Sequence, residues 1–194
     1  MSQNAVSGQF HIRWDNCCVI EFSDNFVPAN APEAEHLGRV YEWSVRIRGA
    51  FMDQTIWLDT IVTGILVLYF TEDAKKQSVL GEALTGRDFS FSARIELLEK
   101  VVKLSFPAFA NTHHDFFTKL DKIRRFRNRL AHAQLDTSDK FLAKGAEQIQ
   151  LVFYENGEEK HQTINFADVK LRLAECSQVL LQLVELQKLI KQAH

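Results

Sequence analysis

Proline and cysteine are scarce in this chain, with three of each in 194 residues. So few helix breakers leave room for long uninterrupted helices. Three cysteines, two of them adjacent as Cys17 and Cys18, form no disulfide framework and have no metal-ligand spacing. They read as free structural thiols in a reducing cytoplasm. An excess of one charge is also missing: 23 Lys and Arg stand against 25 Asp and Glu, a net of −2. Bulk electrostatics therefore favours neither nucleic acid nor membrane, and any anion site has to be local. The start, MSQNAVSGQFHIRW, has neither the basic region nor the apolar stretch of a signal peptide. The most apolar run, IWLDTIVTGILVLYF at 56–70, is shorter than the roughly 20 residues that span a bilayer. It also carries Asp59, so it reads as a core helix. There is no phosphate-binding glycine loop, no internal repeat and no low-complexity segment.

What is present is apolar. Hydrophobic residues make up 46% of the chain, which excludes disorder over most of its length and suits one ordinary domain with a real core. Residues 9–22 read as two short strands around Asp15-Asn16, followed by a loop with Pro28 and Pro32. A long helical stretch runs from about 33 to 71, where Gly49 and Gly64 either bend it or allow close packing. A helical fragment and loop at 72–90 precede a helix at about 91–104, with Phe91, Ile95, Leu98 and Val102 on one side and Pro107 as its stop. The next helix is expected to open on a capping box at Thr112 and Asp115 and to run to about 133. Asn156-Gly157 between two strand-like runs predicts a hairpin at about 148–165. Asn165 then caps a last helix to about 192, with a seam through Phe166, Val169, Leu173, Cys176, Leu180, Leu183 and Ile190. The expected fold is mainly α: an antiparallel bundle of about four long helices with small β hairpins near the N-terminus and at 148–165. Residues 1–32 form an extension and 33–194 the bundle.

The stretch KLDKIRRFRNRLAHAQLD, 119–136, raises the chemical question. With Phe116 at zero and about 100° per residue, Leu120 lies near 40°, Ile123 near −20° and Leu130 near −40°. Arg127 falls near 20°, close to the middle of the buried arc, while Asn128 at about 120° and His132 at about 160° follow one edge. A permanent cation aimed at protein needs an anion, because an unpaired buried charge costs several kcal/mol. Asp53, Asp59 or Glu96 can supply it, and so can a bound phosphate. His113 and His114 beside Asp115 point about 100° apart, a poor geometry for sharing one metal ion, and read as helix-start polarity.

RNRLAH at 127–132, late in a helix, resembles the signature of the HEPN superfamily (higher eukaryotes and prokaryotes nucleotide-binding): Arg, four to six residues, then His, often with a polar residue after the Arg. FSARIELLEKVV at 91–102 is similar to a helix that precedes the signature in bacterial members. The resemblance covers about 90–135 and leaves out the hairpin and the first 30 residues. It implies a metal-independent endoribonuclease acting as a homodimer on single-stranded RNA, without cofactor, in the cytoplasm and away from membranes. Arg127, Asn128 and His132 are the implied catalytic group, with Arg124, Arg125 and Arg129 as an RNA-binding rim. A role in phage defence or as a toxin, with an inhibitory partner protein or antitoxin, follows from the same resemblance. Toxin members that are inactivated by modification carry a tyrosine two residues after the histidine, where this chain has Gln134. The alternative is a non-catalytic relative that uses the same cleft to bind a nucleotide, RNA or protein.

Overall fold

The computed structural model describes residues 33–142 and 148–193. The strand pair read at 9–22, the loop after it and Pro32 lie outside the described residues. The first described element is helix α1, Glu33–Phe70. Val40, Ile47, Phe51, Leu58, Ile61, Val62, Ile65 and Leu66 recur along it at three- and four-residue spacing and are all buried. Neither Gly49 nor Gly64 breaks it. Tertiary packing of that stripe outweighs the weak helix propensity of two glycines. By length and composition the stretch Glu35–Phe70 passes the test for a membrane span, but 44% of its window is buried inside the protein.

Helix α2, Ala74–Thr85, is opened by Asp73, whose carboxylate accepts from the Lys75 and Lys76 amides at 2.9 and 3.2 Å. Ser90 plays the same part for α3, Phe91–Ser105, accepting from the Ala93 amide at 3.2 Å. Pro107 does more than stop α3. It starts a one-and-a-half-turn helix, α4, Pro107–Thr112, at a position where the missing N–H is no loss.

Helix α5 covers Phe116–His132. The expected capping box is absent. The Thr112 hydroxyl donates to the Ala108 carbonyl at 3.0 Å, closing α4, and Asp115 makes no side-chain cap bond. Asp115 instead pairs with Lys119 one turn on. After α5 come a two-residue strand β1, Gln134–Leu135, and a single turn α6, Asp139–Leu142. Strands β2, Gln148–Glu155, and β3, Glu158–Asn165, form the anticipated hairpin. Its turn residues Asn156 and Gly157 both have positive φ, 55° and 81°, as a type I′ turn requires. The sheet is antiparallel, ordered β1-β2-β3. Helix α7, Phe166–Ala193, opens on a reciprocal cap: Asn165 Oδ1 accepts from the Asp168 amide at 2.9 Å, and Asp168 Oδ2 from the Asn165 amide at 3.1 Å.

The described residues form a mainly helical protein with a small three-stranded antiparallel sheet. Its core is continuous: α1 packs on α3, α5 and α7, and Ile149, Leu151 and Ile164 add the inner face of the sheet. Phe51 of α1 meets Phe126 of α5 edge-on at 4.9 Å between ring centres. Burying a side chain of that size contributes about 1.5–3 kcal/mol and fixes where the end of α5 lies.

Candidate active site

Helix α5 buries Phe116, Leu120, Ile123, Phe126 and Leu130. Phe126 lies near −80° on the wheel used above, which moves the centre of the buried arc to about −20°. Arg127 therefore sits about 40° off centre and is half-buried, with a way out to solvent. Its one hydrogen-bond partner among the described residues is its neighbour: Nη1 donates to Asn128 Oδ1 at 3.1 Å. His132 is exposed in the last turn of the helix.

None of the three acids offered to Arg127 reaches it. Asp59 is taken by another arginine: Arg94 of α3 donates Nε to Oδ1 at 2.9 Å and Nη2 to Oδ2 at 2.8 Å. Asp53 is exposed on α1, and Glu96 lines a groove between α3 and α5. Among the described residues the buried guanidinium is thus that of Arg94, only 6% exposed, which also donates to the Leu84 and Phe89 carbonyls. The wheel contains the signal that identifies it. On α3, with Phe91 at zero, Arg94 falls near −60°, between Leu98 at about −20° and Val101 at about −80°.

Asn128 and Arg127 differ by about 100° around the helix, but Asn128 and His132 are one turn apart and share a face. The hydrogen bond ties the Arg127 guanidinium to Asn128, a residue of the face that carries the imidazole. A guanidinium fork, an amide and an imidazole along one edge can hold a phosphate and move a proton near neutral pH. No acid among the described residues neutralises the fork, so its charge is free for a ligand.

Arg48 of α1 was not anticipated. Its Nη2 donates at 2.9 Å to the Ala133 carbonyl, just past the end of α5, and its Nε bonds Ser44 at 3.1 Å. This cation at a helix C-terminus anchors the turn that presents His132. A contact between residues 85 apart leaves no trace in local spacing.

The expected basic rim is largely occupied. Arg124 and Arg125 both bind Asp121, at 2.6 and 2.7 Å. Burial works against the Asp121 charge, but the two guanidiniums outweigh it and hold the carboxyl below its ordinary value. Arg129 lies over the Phe153 ring at 5.6 Å and donates to Gln162 at 3.2 Å, tying α5 to the hairpin. The groove beside Arg124 and Arg125, about 590 Å³, is lined by Glu96, Glu99 and Asp121 as well as Lys122, and none of the signature residues reaches it. His113 is also structural: Gln182 and Glu185 of α7 each meet one of its ring nitrogens at 3.1 Å. Burial pushes the Cys176 thiol up to about 12, so it packs in the α7 seam as an inert apolar group.

Compared with known proteins, the chain matches no family model, no curated protein and no solved structure.

Proposed function

We propose that this chain is a HEPN-like antiparallel bundle of α1, α3, α5 and α7 that works as a dimeric, metal-independent endoribonuclease on single-stranded RNA. One observation carries the reading. Arg127 is half-buried, has no carboxylate among the described residues, and bonds Asn128, which shares a helix face with His132. A cation held in that way fits a phosphate better than it fits a structural role.

The chemistry follows from the residues. The RNA 2′-hydroxyl attacks the adjacent phosphorus while the bond to the 5′-oxygen breaks. One His132 accepts the hydroxyl proton, and the second protomer's copy donates a proton to the leaving oxygen. The two Arg127 side chains hold the phosphorane oxygens, and Asn128 keeps the fork in place. The products are a 2′,3′-cyclic phosphate and a 5′-hydroxyl. Two subunits are required because one chain supplies one imidazole for two proton transfers. The reading places the protein in the cytoplasm, under the control of an inhibitory partner or antitoxin, in defence or as a toxin.

The test is cleavage of single-stranded RNA by purified protein in the presence of a chelator. Cyclic-phosphate ends should form with wild type. His132→Ala and Arg127→Ala should each lower the rate by at least about a hundredfold, the range of a lost acid–base or oxyanion group. Undiminished cleavage by His132→Ala sinks the assignment. The pairing of Arg124, Arg125 and Arg129 favours a second reading, a non-catalytic module that binds a nucleotide or short RNA at Arg127. Binding without any cleavage by wild type decides for it.

A further inference from the structure

Among the described residues, none covers the outer face of α1. Leu37, Tyr41, Val45, Ile56 and Trp57 are 40, 65, 54, 57 and 47% exposed. Tyr41, Val45 and Ile56 share one side of the helix with Gly49, Leu37 and Trp57 flank that side about 200° apart, and the stretch from Leu37 to Trp57 is about 30 Å long. Taking Gly49 as zero, an apolar lane of Gly38, Tyr41, Val45, Met52 and Ile56 runs between about −80° and 0°. A polar lane beside it, at about 20° to 60°, holds Glu42, Arg46 and Asp53. An exposed apolar strip this long on one helix marks an interaction surface.

Two details identify the occupant. Gly49 is a poor residue for the middle of a 38-residue helix, and a Cβ built on it meets nothing within 4 Å. Among the described residues nothing requires smallness at Gly49, as nothing does at Gly38 or Gly64, whereas a second helix crossing at Gly49 would. The charges are also arranged about that glycine. Arg46 stands three residues before it and Asp53 four after, and the apolar side chains balance likewise, Val45 with Met52 and Tyr41 with Ile56. Such a pattern is complementary to its own reverse.

We infer that α1 forms an antiparallel homodimer, crossing a second copy of α1 at Gly49, with Arg46 of each chain paired to the Asp53 position of the other. A two-fold axis beside Gly49 brings the apolar lanes together and sets the polar lanes side by side on one flank. Residues whose numbers sum to about 98 then lie at one height on the two helices, which places the two ion pairs symmetrically about the axis. Among the described residues Arg46 is held by Glu42 one turn away, an exposed pair at 2.6 Å that exchanges readily. Asp53 has no partner among the described residues. Arg48, next to Gly49, bonds the end of α5 on the other flank, so both α5 ends come to the same side of the paired helices. The interface stands apart from the ribonuclease reading: a dimer that cuts no RNA leaves it intact.

The test is sedimentation velocity of the full chain, with thermal melting to confirm that each variant folds. Wild type should be a dimer at micromolar concentration. Arg46→Asp and Asp53→Arg should each raise the dimer Kd at least tenfold, and the double exchange should return it to within threefold of wild type, because the pairs re-form with signs reversed. Ile56→Asp should leave a folded monomer. A monomeric wild type overturns the inference, and vesicle co-sedimentation of that monomer would assign the strip to lipid instead. A dimer indifferent to Ile56→Asp overturns it too. Failure of the double exchange to rescue overturns the antiparallel register.

Discussion

Two arginines on two helices show how burial and partner decide what a guanidinium does. Arg94 is sealed and given a carboxylate and two carbonyls, whereas Arg127 is left half-open with an amide. The first is structural, and a measurement can say so. Arg94→Leu strips Asp59 of its partner and leaves the Leu84 and Phe89 carbonyls unmet, so it should cost about 3 kcal/mol in urea denaturation. That is the low end of the range for a broken buried pair, because the Asp59 side chain is 34% exposed and keeps some water. Replacing both residues, Arg94→Leu with Asp59→Leu, should recover most of the loss, since a matched apolar pair is close to neutral. A single substitution costing under about 1 kcal/mol would mean that the pair is no tie between α1 and α3. The wheel put Arg127 close to the middle of the buried arc, whereas Phe126 shifts that arc and leaves Arg127 about 40° off centre and half-buried. Depth depends on which neighbour covers each side of the helix, and that is settled by chains 35 or 85 residues away.

At the scale of elements, local chemistry was legible wherever it acts within a few residues. The hairpin turn at Asn156-Gly157 and the cap from Asn165 to Asp168 are where the sequence pattern puts them. So is the 33–70 helix, whose apolar period runs without interruption. The opening of α5 was misread because Thr112 and Asp115 satisfy a motif whose hydroxyl is already used by the preceding turn. Strand β1 was illegible: two residues form a strand only because β2 lies alongside, Gln134 opposite Val152 and Leu135 opposite Leu151. The hairpin matters to the site through Arg129, which reaches Phe153 and Gln162 and so couples the sheet to α5. Gly157→Ala forces a Cβ into φ near 81°, and should cost about 1–2 kcal/mol, lowering the melting temperature by several degrees. No drop in melting temperature would mean that the turn is not held in its I′ geometry.

For the whole molecule, the charge balance decides how RNA is met. The net charge is −2, so a dimer carries −4 and repels a polyanion at long range. The local rim that was expected to compensate is committed elsewhere: two arginines share Asp121 and a third lies on an aromatic ring. Binding at the proposed site then rests on few phosphate contacts, chiefly one Arg127 from each chain. Single-stranded RNA releases about 0.7 counterion per phosphate neutralised, so the plot of log K against log salt should have a slope of roughly −1 to −2. Fluorescence anisotropy with a short labelled RNA and His132→Ala protein, from low to moderate salt, measures it without cleavage. Arg127→Ala should flatten the slope further, and Arg125→Ala should barely change it. A slope steeper than about −4 would require Arg124, Arg125 and Arg129 to leave Asp121, Phe153 and Gln162 for the backbone. In that case the ion pairs of the free protein are latches released by RNA, and the rim is restored at the cost of the contact between α5 and the hairpin.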